Sequence, residues 1–132
     1  MMLYQHDPCK GIRIIDEQTA NWSRTQGVDF VTNWLSSGIK FNAIISNDDE
    51  MVIMAIQALR AAGRNAKDYV IAGVNATQDA LAAMQAGDLH VTVFQDAVGQ
   101  GKRALDATLE FARGKAPTKR FIFPFNLSRR RT

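Results

Sequence analysis

An α/β fold with a parallel sheet is the class this sequence predicts, and three observations carry it. Short apolar runs of strand character alternate with longer stretches of helical periodicity: Ile12 to Ile15, Ala43 to Ile45, Tyr69 to Ala72 and Val91 to Phe94. Successive runs lie roughly 25 residues apart, the room a strand, a loop and a crossover helix need in a right-handed βαβ unit. The stretch Phe41 to Gly63 shows one such unit whole. Ala43-Ile44-Ile45 reads as a strand buried on both faces, and Asn47-Asp48-Asp49 breaks it with turn-prone side chains. A helix follows from Glu50, with Gly63 placed for a left-handed cap.

The remaining elements follow in order. Asp16 and Glu17 close the first strand, and Thr19-Ala20-Asn21-Trp22 forms a loop. Ser23 is an N-cap for a helix carrying Gly27, Val31, Trp34 and Leu35 on one face and ending near Gly38. In the helix after Asp49, residues Met51, Val52, Ala55, Ile56, Leu59 and Ala62 make a wide apolar face. Tyr69 to Ala72 is the third strand, with Gly73-Val74-Asn75-Ala76 as its loop. Thr77 caps the next helix, Asp79 complements the dipole in its first turn, and Gly87 ends it. Val91 to Phe94 is the fourth strand, and Asp96 to Arg113 the last helix. Phe121-Ile122-Phe123 reads as a late strand stopped by Pro124.

With 46% hydrophobic residues in 132, the chain has apolar material for one core and is not of the disordered class. A lone cysteine, Cys9, rules out an intrachain disulfide. No apolar run approaches the ~18 residues of a membrane span, so no membrane insertion is expected. The opening MMLYQHDPCKG lacks the pattern of a secretory signal, which points to the cytoplasm if nothing precedes it. The net charge of +3 is unevenly spread: residues 1–101 hold seven Lys/Arg against eleven Asp/Glu, and residues 102–132 nine against two. No stacking aromatics interleave with Arg129, Arg130 and Arg131, so the basic tail reads as a solvated end and no nucleic-acid partner is expected.

Chemistry would fall to the loops at the strands' carboxyl ends, where ligands meet sheets of this class. Asp48, Asp49 and Glu50 could in principle hold magnesium, but such sites draw carboxylates from several strand ends, and here the other loops offer amides. No metal, cofactor or catalytic residue is therefore expected. Cys9, His6 and His90 show no nucleophile spacing, and Gly99-Gln100-Gly101 lies within a helical pattern rather than a phosphate loop. A binding site needs fewer assumptions. Trp22, Asp48, Asn75 and Gln95 come from separate loops on one edge of the sheet. A flat ring to cover a sugar's C–H face, with an acid and amides for hydroxyls, suits a monosaccharide or cyclitol. Each also has a plain structural alternative: Trp22 as core, Asp48 as a cap, Asn75 as a turn residue, Gln95 as surface.

Four runs of sequence resemble a known family in their order and intervals: Ser46-Asn47-Asp48-Asp49-Glu50-Met51, Ala72-Gly73-Val74-Asn75-Ala76-Thr77-Gln78-Asp79, Ala86-Gly87-Asp88-Leu89, and Val93-Phe94-Gln95 with Gly99 beyond. The chain is similar to the C-terminal half of periplasmic sugar-binding proteins of the ribose, galactose and inositol group, the substrate receptors of ABC transporters. Its inositol and rhizopine branch is the nearest. The resemblance implies a type I periplasmic-binding-protein-like lobe, a three-layer α/β/α sandwich with a mainly parallel sheet, and a periplasmic location. It implies ring stacking at Trp22, hydroxyl contacts at Asp48 and Asn75, and a place near the hinge for Gln95. It also implies an ABC permease as partner. The acid and amide are exchanged relative to the family pattern, which commonly has Asn at the position of Asp48 and Asp at that of Asn75. The effector-binding part of a lac-repressor-type regulator, which shares the fold, is the alternative.

On that pattern residues 1–132 form a single partial C-terminal-lobe domain. A strand that normally lies between those of Ile12–Ile15 and Ala43–Ser46 has no counterpart, and the 96–113 helix normally packs on the other lobe. The expectation is that the strands close up, or that two copies form a homodimer by exchanging the last helix or an edge strand.

Overall fold

The computed structural model describes residues 1–7, 11–115 and 126–129. Strands β1 (Met2–Asp7) and β2 (Gly11–Glu17) open the chain and are followed by helix α1 (Arg24–Ser36). Next come β3 (Ala43–Ile45), α2 (Asp49–Ala61), a 3-10 turn (Ala66–Asp68), β4 (Val70–Asn75) and α3 (Gln78–Ala86). The chain finishes with β5 (Val91–Phe94), α4 (Ala97–Ala112) and β6 (Asn126–Arg129). One six-stranded sheet results, in the order β2-β1-β3-β4-β5-β6.

Strand direction is what positions the site. β3, β4 and β5 pair in parallel, while β1 runs antiparallel to both of its neighbours, β2 and β3. Two reversals cancel, so β2 runs the same way as β3. The four strands found at the sequence-predicted positions therefore deliver their carboxyl ends to one edge, and only β1 and the antiparallel β6 run against them.

β1 was not foreseen, because Met2–Asp7 carries no sustained apolar alternation. It occupies the place between β2 and β3 where the family pattern left a gap. The strands neither close up nor need a second copy to fill that place, since the amino-terminal residues fill it in the opposite direction.

The core lies between the sheet and α1, α2 and α3. Ile44, Ile71 and Thr92 point to this side and are fully buried, with Val31, Val52, Leu59 and Leu89 against them. The expected strand buried on both faces is corrected here: Ile44 is fully buried, but its neighbour Ile45, on the other face, keeps 38% exposure. Alternation along the pleat puts Val70, Ile12 and Ile14 on that same open side, all exposed. β4 also runs further than expected, through Gly73 and Val74 to Asn75. The expected strand 121–123 and Cys9 lie outside the described residues.

The helix boundaries follow local chemistry. Ser23, Asp48, Thr77 and Asp96 each accept a backbone N–H from the first turn of α1, α2, α3 and α4. Gly87 closes α3 at φ +86°, a left-handed cap that a side chain would strain. At the margin of the core, the buried Trp34 of α1 donates its indole N–H to the partly buried Asp16 near the end of β2, 2.5 Å away, pinning helix to sheet. α4 differs from the other helices in that none of its residues is buried. No helix among the described residues is long and apolar enough to cross a membrane.

Candidate functional site

The carboxyl ends of β2, β3, β4 and β5 share one rim; Trp22, Asp48 and Gln95 lie in the segments after β2, β3 and β5, and Asn75 is the last residue of β4. At the centre of the rim, Asp48 divides its two oxygens. Oδ1 accepts from the backbone N–H of Glu50 at 2.8 Å, capping α2, while Oδ2 accepts from Asn75 Nδ2 at 3.0 Å. Asp48 and Asn75 are thus brought into direct contact across the ends of β3 and β4. The side-chain oxygen of Asn75 remains open for a donor among the described residues.

Trp22 stands at the same rim in an unusual backbone state. Asn21 and Trp22 have φ of +47° and +58°, which throws the indole outward to 67% exposure. The core alternative for Trp22 therefore does not hold. Its ring borders a cavity of about 400 Å³ lined also by Asn21, Ser46, Asn47, Met51 and Val74. Asp48 and Asn75 follow directly on lining residues but are not themselves in the lining. Gln95 is neither in the lining nor joined to the pair; it is exposed, and its Nε2 donates to Gln100 Oε1 at 3.5 Å.

The three successive acids that suggested magnesium diverge. Asp48 caps α2 and holds Asn75, Asp49 turns into the core, and Glu50 forms an ion pair with Arg24. No group of three or more His, Cys, Asp or Glu among the described residues could hold a metal ion.

Asp49 is the residue whose role sequence reasoning missed, having been read as a turn-prone side chain and a magnesium candidate. It is fully buried, and its carboxylate receives the Thr92 hydroxyl at 2.9 and 3.0 Å and the Thr77 N–H at 3.0 Å. Burial raises its pKa above the ordinary aspartate value; the donors from Thr77, Thr92 and Ala76 pull it back, and the Asp48 charge pushes it up further. The signal was Gly73, the β4 register partner of Thr92: a Cβ there would overlap Asp49 Oδ1. That signal is silent until the strand register is known. Beside it, Asn75 and Ala76 hold φ of +111° and +53°, strained values for residues with side chains, each costing about 1–3 kcal/mol.

Four codirectional strands, helical crossovers and a polar rim beside a cavity define an α/β lobe of the kind that meets ligands at strand carboxyl ends. The chain belongs to the periplasmic binding protein family: residues 1–116 match the periplasmic binding protein domain. It is 61% identical over 121 residues to a "Putative rhizopine-binding protein" of Rhizobium meliloti, covering 92% of this chain and 39% of that relative. It is 29% identical to the ribose import binding protein of Bacillus subtilis, covering 88% of this chain and 37% of the relative. Among solved structures, an ABC transporter solute binding protein from Bacillus halodurans with bound myo-inositol superposes with a TM-score of 0.83 at 38% identity. That match covers 91% of this chain and 41% of the other. The chain therefore spans about two fifths of the length of the relatives it matches.

Proposed function

We propose that this chain is the C-terminal lobe of a periplasmic solute receptor that binds a cyclitol or monosaccharide and presents it to an ABC permease, without catalysing a reaction on it. The observation that carries this reading is the hydrogen bond from Asn75 to Asp48. Relative to the family pattern the acid and the amide have changed places, yet the two positions touch, so the rim keeps one carboxylate and one amide side by side. That pair offers acceptors and a donor to adjacent hydroxyls of a polyol. Trp22, exposed across the rim, is the apolar surface for the ligand's C–H face. The inositol-bound and rhizopine-binding relatives support a cyclitol as the first ligand to test. None of the relatives reported above supports the regulator alternative.

Half a cleft buries only part of a ligand, so the lobe alone binds weakly, with Kd of about 1 mM or above. Titration with myo-inositol followed by NMR is expected to shift the Trp22 indole and Asn75 side-chain amide signals together. Shifts confined to signals away from the rim would overturn the site. Calorimetry giving micromolar affinity for this chain would overturn the half-cleft account.

A further inference from the structure

We propose that Asp49 is a positioning residue: clamped between α2, β5 and the turn after β4, it fixes the Asn75-Ala76-Thr77 turn and so aims the Asn75 amide at Asp48. The binding consequence rests on the function proposed above; the structural role does not. The geometry is a relay. Ala76 N–H donates to Thr92 Oγ1 at 3.1 Å, the Thr92 hydroxyl donates to Asp49, and Thr77 N–H donates to Asp49 directly. Two consecutive backbone amides of the turn thus end on one buried carboxylate. They hold the turn on the side of Ala76 and Thr77, as the β5 pairing of Asn75 and its own bond to Asp48 hold it on the other, against the return of Asn75 and Ala76 from positive φ to ordinary values. Asp48 and Asp49 are neighbours in sequence but face opposite ways: one toward the rim, the other toward the strands beneath it. The pair therefore couples the helix that Asp48 caps to the turn that presents Asn75. Gly73 leaves the space in which the Asp49 carboxylate sits, with Val52 on its flank.

Amide hydrogen exchange followed by NMR on the whole chain tests this. Asp49→Ala is expected to speed exchange at both Ala76 and Thr77 by about tenfold or more, with Leu59 in α2 changing less than about twofold. Asp49→Asn keeps an acceptor for Thr77 and is expected to protect that amide nearly as well as the wild type. Thr92→Val is expected to speed exchange at Ala76 more than at Thr77, since Ala76 loses its hydroxyl acceptor while Thr77 keeps its own bond to Asp49. In the alanine variant the Asn75 side-chain amide signals should move toward their free positions. Unchanged exchange at Ala76 and Thr77, or uniform acceleration that includes Leu59, overturns the proposal. Should Asp49→Ala not fold, the Asn and Thr92→Val variants decide it by the same two amides. A myo-inositol titration separates the two ideas. Absence of any shift in the wild type counts against the proposed ligand class, while the exchange results still decide the role of Asp49.

Discussion

Asp48 serves the fold with one oxygen and the rim with the other, so its substitutions should separate the two. Asp48→Ala removes the N-cap of α2 and is expected to destabilise by about 1–2 kcal/mol in urea unfolding. Asp48→Asn keeps a good capping group and should remain within about 0.5 kcal/mol of wild type, while altering the polyol contact. A loss with Asn equal to that with Ala would show that the charge, not the cap, stabilises the helix. Two other aspartates give stability opposite slopes with pH. Asp49 has its folded-state pKa raised by burial, with Asp48 the neighbouring charge, so its contribution is full below the ordinary value and lost as pH rises through the raised one. Asp16 has its pKa lowered, first by the Trp34 indole and then by Gln18; its contribution is full above the ordinary value and lost as pH falls through the lowered one. Hence Asp49→Asn should gain on wild type as pH climbs from acid to neutral. Trp34→Phe, expected to cost about 2 kcal/mol at neutral pH, should show a smaller deficit in acid. Parallel curves for both variants across urea melts at several pH values would refute the assignment. At this scale the sequence shows which residues can cap a helix or meet a hydroxyl. It does not show which way adjacent acids turn, because that depends on the strand beneath them.

At the scale of elements, legibility tracked local chemistry. Helix limits were readable because Ser23, Asp48, Thr77 and Gly87 act on backbone groups within a few residues of themselves. β2, β3 and β5 announced themselves as apolar runs. β1 did not, since Gln5, His6 and Asp7 interrupt any apolar pattern and its strand character comes from pairing with β2 and β3 on either side. β4 outran its expected end for a related reason. Gly73 looks like a loop residue in isolation, but in the sheet it sits under Asp49 and Val52 of α2. Gly73→Ala should therefore be poorly tolerated although its φ is unexceptional. The added methyl would overlap the Asp49 carboxylate and come within 3.1 Å of Val52 Cγ2, an overpacking cost of about 1–3 kcal/mol. Thermal unfolding checks this; a variant as stable as wild type would mean α2 can lift off β4 without penalty.

Across the whole molecule, the sheet is covered on one side by α1, α2 and α3, while the other side and α4 carry apolar residues facing solvent. Val98, Leu105 and Leu109 recur along one face of α4 and are 69%, 62% and 45% exposed. On the open side of the sheet Ile12 and Ile14 are 73% and 54% exposed. The rim of codirectional loops was legible from the βαβ spacing; the bare surfaces were legible only through the family resemblance, because apolar periodicity in α4 predicts burial and not by what. Two consequences can be measured. Because Leu105 and Leu109 are already in water, replacing both by Glu should change the unfolding free energy of this chain by less than about 0.5 kcal/mol. The same exposed stripe should drive copies of the chain together, by exchange of α4 or of an edge strand as the resemblance suggested. Sedimentation equilibrium is then expected to give a mass rising with concentration above the 14.6 kDa of one chain, and the double Glu variant should stay near that value. A wild-type chain that remains monomeric at high concentration would remove the case for association. A double variant that loses several kcal/mol would instead mean that α4 is held against the lobe in solution.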